Sequence, residues 1–261
     1  MEWYEALILG IVQGLTEFLP VSSSGHLELG KAILNTEAKE DISFAVAVHG
    51  ATVLSIIIIF FKEIRQLLSE SFTFKWNDSS RYVLKLILSM IPVAIVGLFF
   101  REHIEHFYSS NIIFVGIMLI ITAGFLILSN FAREKNSSIS FRDSLIIGIA
   151  QAIAVLPGIS RSGATISTGL ILGNNREDVA RFSFIMVLLP IIAANLADLF
   201  SGEFSGESSI GFTPVLIGFI AAFISGLLAC RWMLNIVKKG KLIYFGFYCL
   251  CIGIIAIISG I

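Results

Sequence analysis

The chain has 261 residues, of which 56% are hydrophobic and 14% charged, with a formal net charge of −1. A soluble domain of this length carries about 25% charged residues; with a mean hydropathy of +0.89, a water-soluble globular domain is excluded. The apolar runs are continuous and lack period-two alternation, which excludes a transmembrane β-barrel and leaves an all-α polytopic membrane protein.

The opening MEWYEALILG lacks a basic region and a small-residue cleavage site, so it reads as mature sequence rather than a signal peptide. A short apolar piece, 3–19, ends at LPVSSSGH (19–26), and a second, 25–34, follows. Longer apolar spans come next at about 44–61, 83–100 and 111–131. Two short pieces recur at 144–156 and 164–173 around PGISRSG, followed by spans at about 180–200, 212–234 and 242–260. Each long span approaches the ~20 residues that a helix needs to cross ~30 Å of hydrocarbon. Cys230, Cys249 and Cys251 lie in or beside apolar spans and read as small buried hydrophobes, with no disulfide or metal spacing. Among scattered polar residues, His49 is a candidate to line a cavity, and Asn195 and Asp198 read as structural. His103 and His106 are expected on an outer loop, as is SGEFSGESS at 201–209.

The chain repeats itself. LILGIVQGLTEFLPVSSSG (7–25) matches LIIGIAQAIAVLPGISRSG (145–163) at an offset of 138, which superposes Gly10 on Gly148, Gln13 on Gln151, Ser22 on Ser160, Ser24 on Ser162 and Gly25 on Gly163. The single membrane domain, 1–261, thus divides into halves at 1–131 and 139–261. If each pair of short pieces is a re-entrant hairpin, each half crosses three times, and the second half is inverted relative to the first. This topology places Lys62, Arg65, Lys75, Arg81, Lys85, Arg133, Lys135, Arg142, Arg176, Arg181, Arg231, Lys238, Lys239 and Lys241 on one side and only Lys31, Lys39 and Arg101 on the other. Fourteen against three marks the rich side as cytoplasmic. The expected architecture is an inverted repeat of six spans and two re-entrant hairpins, whose broken tips meet near the midplane around a polar site.

Gln13 and Glu17 are spaced i, i+4 and share a helix face. With Ser22, Ser23, Ser24 and His26, the first hairpin offers a carboxylate, hydroxyls and an imidazole. The second offers Ser160, Arg161, Ser162, Gly163 and Thr165, plus Gln151. An arginine at membrane depth costs ~2.5–3.5 kcal/mol even on lenient scales, and its planar fork suits a phosphate. ISRSGAT opens a helix whose amides favour an anion. Together these make a phosphate pocket with a hydroxyl nucleophile, a base, and an acid (Glu17) able to hold Mg²⁺ or Ca²⁺. Entry from the lipid would suit a lipid phosphate. Which serine attacks, and whether His26 or Glu17 is the base, stay open at this level.

QGLTEFLPVSSSGH and LPGISRSGAT resemble the two signatures of the undecaprenyl pyrophosphate phosphatase, or bacitracin-resistance, family, over the whole chain. The resemblance implies removal of the terminal phosphate from the C55 polyprenyl pyrophosphate, recycling the carrier lipid for bacterial cell-wall synthesis with a divalent cation. It implies a catalytic set of Glu17, Ser23 (or Ser22), His26 and Arg161, with Ser160, Ser162 and Thr165 binding phosphate. Many members have glutamate where this chain has Gln13, whose amide then orients its neighbours rather than acting as a base. The implied location is the inner membrane, the site opening outward, with no nucleic-acid partner and a homodimer left open. The SGH and SRx5H pattern of membrane acid phosphatases fails, because Ser167 stands where its histidine should. The competing reading is a lipid-phosphate transporter or flippase using the same midplane anion site.

Overall fold

Proline, helix caps and small residues shape this molecule more than its large side chains do. The computed structural model describes residues 1–34, 42–71, 75–100, 112–133, 135–200 and 210–260. Those residues form twelve α-helices and no strand, apart from an isolated bridge between Ser137 and Asn174. In chain order these are α1 (Trp3–Phe18), α2 (Ser23–Leu34), α3 (Ile42–Ile59), α4 (Phe61–Ser71), α5 (Asp78–Phe99) and α6 (Ile112–Asn130). They are followed by α7 (Phe141–Ile153), α8 (Arg161–Ile171), α9 (Arg176–Met186), α10 (Leu188–Phe200), α11 (Phe212–Lys238) and α12 (Ile243–Ser259). Lys39, Arg101, His103, His106 and the segment 201–209 lie outside the described residues, as do the side chains of Lys31 and Asp198.

Among the described residues, four stretches are long and apolar enough to cross a membrane: Asp78–Phe99, Ile112–Asn130, Arg176–Leu196 and Phe212–Lys238. The span expected at 44–61 is instead the first limb of a bent pair, Phe44–Ile59 and Phe61–Ser71, turned by 77°. The stretch after the first limb, between the spans expected at 44–61 and 83–100, is the helix α4. It carries Lys62 and Arg65 beside exposed Phe61 and Leu68, and buries no residue fully, the composition of a helix lying in an interface. The last helix, Ile243–Ser259, is apolar but shorter, at 17 residues. Ile87, Ile91 and Ile95 of α5, Ile220, Ile224 and Leu228 of α11, and Ile254, Ile255 and Ile258 of α12 face outward. Apolar stripes of this extent need lipid around them, and the chain is a multi-pass membrane protein.

Helix starts obey the offset found in the sequence: α1 begins at Trp3 and α7 at Phe141, α2 at Ser23 and α8 at Arg161, each pair 138 apart. Packing is reciprocal across that offset. α1 lies along α11, while its counterpart α7 lies along α5, and α6 pairs with its own counterpart α12. The crossings are close because glycine stands at them. A Cβ on Gly148 would come 2.2 Å from the Ser89 carbonyl oxygen, and one on Gly10 would come 2.5 Å from that of Gly218. Such approaches are how membrane helices gain packing energy without a hydrophobic driving force. Gly148→Ala, which must displace backbone, is expected to destabilise by about 1–3 kcal/mol. A thermal melt of the detergent-solubilised variant checks this.

One core joins both halves. Phe18 meets Phe184 edge-on at 5.7 Å, Phe60 lies 6.3 Å from Phe184, and Ile56, Leu119, Leu126, Phe182 and Met186 are buried around them. At one end, Arg181 pairs with Glu63 at 3.4 Å and Glu177 at 2.8 Å, and Lys238 reaches Glu177 at 3.4 Å. These half-exposed pairs are worth ~0–1 kcal/mol each, yet they show basic residues from α9 and α11 gathered with α4 at a single end. Cys230 and Cys249 are buried as expected; Cys251, expected buried, is exposed on the outward side of α12, where a small apolar thiol suits lipid.

Candidate active site

Pro20 excludes helix from the residue before it: Leu19 is extended at ψ 142, and α1 stops at Phe18. The chain then turns through Ser22 at φ +71, a left-handed conformation that costs a serine ~1–3 kcal/mol and tends to cluster at functional sites. Ser22 caps α2, its Oγ accepting from the Gly25 amide at 3.2 Å. The second hairpin repeats the device: Ser160 caps α8, its Oγ accepting from Gly163 N at 3.1 Å. Even the flanking hydroxyls match, with Ser22–Ser24 and Ser160–Ser162 both at 3.3 Å.

The two tips touch. A Cβ on Gly25 would lie 3.2 Å from Gly158 Cα, and one on Gly163 would lie 3.3 Å from Pro20 Cβ, a reciprocal pair under the same offset. Ser162 Oγ donates to the Leu19 carbonyl at 3.3 Å, and Thr122 on α6 fastens the second tip, donating to Gly158 O at 3.1 Å and accepting from Ser160 N at 3.0 Å.

At this junction Gln13, Glu17 and Ser23 of the first hairpin meet Arg161 of the second. Glu17 Oε2 accepts from Ser23 Oγ at 2.8 Å and from Gln13 Nε2 at 3.0 Å. Arg161 Nη1 stands 3.9 Å from Glu17 Oε1 and has no hydrogen-bond partner, although it is buried. Glu17's side chain is only 6% exposed, whereas that of Arg161 is 34% exposed. The guanidinium thus balances a buried carboxylate while its Nη1 stays free of hydrogen bonds. His49 of α3 is within electrostatic reach of Glu17 and bonds the Ala45 carbonyl at 2.8 Å.

His26 is turned elsewhere, its Nδ1 2.9 Å from the Ser22 carbonyl and its Nε2 2.8 Å from the Tyr248 hydroxyl. The hydroxyls of Ser160, Ser162 and Thr165 are engaged with neighbouring protein groups: Ser160 with Ser162 and the Gly163 amide, Ser162 also with Leu19 O, and Thr165 with Arg161 O at 2.8 Å and Ser183 Oγ at 2.6 Å. Asn195 Nδ2 approaches the Val46 carbonyl at 3.5 Å. Thr122, Ser183 and Tyr248 escaped the sequence reading; the available signal was a polar tip inside an otherwise apolar span.

A hard cation needs oxygen ligands. Among the described residues no three His, Cys, Asp or Glu side chains converge, so a site here would have one carboxylate. Beside it, Gln13 Oε1 is buried with no hydrogen-bond partner, a neutral oxygen suited to such an ion. The donor set fits a cation shared with substrate oxygens.

A family model described as Bacitracin resistance protein BacA matches residues 6–255. The chain belongs to the BacA family. Similar proteins named undecaprenyl-diphosphatase include one from Bacteroides fragilis, 51% identical over 262 residues that cover 99% of this chain and 98% of the relative. One from Christiangramia forsetii is 52% identical over 261 residues, 99% and 98% of the two chains. A more distant BacA relative of the same name, from Methanococcus vannielii, is 41% identical over 252 residues, 94% and 95%.

Proposed function

We propose that this chain is an integral membrane phosphatase that hydrolyses undecaprenyl pyrophosphate to undecaprenyl phosphate and inorganic phosphate. The observation that carries the reading is the convergence of the Ser23 hydroxyl, hydrogen-bonded to Glu17, with an underused Arg161 fork from the other hairpin. Ser23 Oγ attacks the terminal phosphorus and its proton passes to Glu17 Oε2. The bond from that phosphorus to the bridging oxygen breaks, and undecaprenyl phosphate leaves. That proton leaves Glu17 with the departing phosphate, and the freed carboxylate takes a proton from water as the water attacks the serine-bound phosphorus. The bond to Ser23 Oγ breaks, inorganic phosphate leaves, and Glu17 returns the proton to the serine oxygen. Arg161 and the first amides of α8 hold the equatorial oxygens where charge builds. The Ser160, Ser162 and Thr165 hydroxyls, already engaged with neighbouring protein groups, shape this end rather than supply charge. Held by Glu17 and Gln13 Oε1 with pyrophosphate oxygens, Mg²⁺ or Ca²⁺ would neutralise further charge on the transferring group. The enzyme reading is preferred to a lipid carrier, because an anion cage needs no serine aimed at a carboxylate.

The finer architecture belongs to the same proposal: two inverted halves, 1–131 and 139–261, each with a re-entrant hairpin. The charge asymmetry and the reciprocal helix packing support it. The basic end faces the cytoplasm, and the site opens to the outer side of the inner membrane.

Phosphate release from a polyprenyl pyrophosphate by purified protein tests the function. Ser23→Ala is expected to lower kcat by ~10³-fold or more, as loss of a nucleophile does elsewhere. Chelator should abolish release, and added Mg²⁺ or Ca²⁺ should restore it. No release by folded wild type across several metals and chain lengths would return the pocket to a carrier.

A further inference from the structure

His26 sits three residues after Ser23, and as a histidine near a nucleophilic serine it is the obvious proton acceptor. Its hydrogen bonds point to different work. The Ser22 carbonyl can only accept, so the ring nitrogen facing it, Nδ1, must carry a proton. In the neutral ring Nε2 is then the acceptor, and it takes the Tyr248 hydroxyl at 2.8 Å. The two rings also stack, with centroids 5.6 Å apart and planes inclined by 14°. Both nitrogens are thus engaged, while the Ser23 hydroxyl points to Glu17. The residue His26 grips is Ser22, whose left-handed backbone at φ +71 has to be held by its surroundings. Tyr248 comes from α12, 222 residues away in sequence.

We propose that Tyr248 and His26 form a clamp of positioning residues that holds the Ser22 turn, and that Glu17, not His26, takes the proton of Ser23. Tyr248 donates to His26, His26 donates to the Ser22 carbonyl, and the turn so fixed aims Ser23 at the carboxylate. The catalytic consequence rests on the phosphatase reading; the hydrogen-bond order does not.

Two measurements separate these levels. In protein labelled with ¹⁵N-histidine, four residues contribute, and the His26 signals are those missing from His26→Asn. They should show a protonated Nδ1 and a bare Nε2, the latter shifting in Tyr248→Phe. A proton on Nε2 with a bare Nδ1 overturns the clamp, whether or not the protein hydrolyses anything.

In the phosphate-release assay, His26→Asn keeps an N–H close to the place of Nδ1 but cannot act as a base. It should retain kcat within about tenfold of wild type, whereas a lost general base costs ~10²–10⁴-fold. Tyr248→Phe should lower kcat about fivefold, as one hydrogen bond predicts, leaving KM within about twofold. It should add nothing to His26→Ala, because residues acting through one another are non-additive. His26→Asn as inactive as His26→Ala, with an unchanged melting temperature, would make His26 the proton acceptor. An inactive wild type would instead remove the phosphatase reading and leave the spectrum to decide the clamp.

Discussion

Arg161→Ala is expected to remove phosphate release almost entirely, with kcat lower by at least ~10²–10³-fold, the loss seen when one donor to a developing negative charge is deleted. The expectation comes from placement. Arg161 is the first residue of α8, its Nη1 is buried without a hydrogen-bond partner, and the buried Glu17 carboxylate is 3.9 Å away. Deletion therefore removes the anion's fork and leaves a carboxylate without its counter-charge, so some loss of stability accompanies the loss of activity. Arg161→Lys separates the two. It keeps the charge beside Glu17 but replaces a planar five-donor fork by a point charge; stability should recover while kcat stays well below wild type. Near-normal turnover by a folded Arg161→Ala protein would sink the two-hairpin site.

Glu17→Gln is the second large effect, and its stability should move differently. The amide is isosteric and can still meet Gln13, but it cannot accept the proton of Ser23, so kcat should fall ~10²–10⁴-fold. A charge at 6% exposure is costly even when paired, and a neutral amide in its place is less so. Arg161 loses its counter-charge but is a third exposed and can be hydrated, so the melting temperature should fall less than in Arg161→Ala while activity disappears. Steady-state kinetics beside a thermal melt checks both. Substantial turnover by Glu17→Gln would require another proton acceptor, and His26, with Nε2 hydrogen-bonded to Tyr248, would be next in line.

The two tips share one scaffold, and the position after the cap is among those at which the copies differ. Ser22 and Ser160 cap their helices alike, and the next residue is Ser23 in one half and Arg161 in the other. Near two-fold contact between the tips then sets Ser23 and Arg161 on either side of Glu17. Its own counterpart at the 138 offset is Val155.

Much of this was legible in sequence because it depends on local rules. Hydropathy named the membrane class, since composition alone decides which solvent a helix face tolerates. The Leu19–Pro20 step ended α1 because proline restricts the residue before it, and Ser22 and Ser160 began α2 and α8 because a serine oxygen can take a free amide. The 138-residue repeat located both tips and hence Glu17, Ser23 and Arg161. What the chain by itself could not decide were directions and distant pairings. Whether Ser23 turned to Glu17 or to His26 depended on a single positive φ at Ser22. The 77° bend that makes α4 a separate helix had no proline or glycine to announce it. Tyr248 met His26 only because α12 packs on α6, which in turn touches α2 and α8, a long-range arrangement that no spacing of residues encodes.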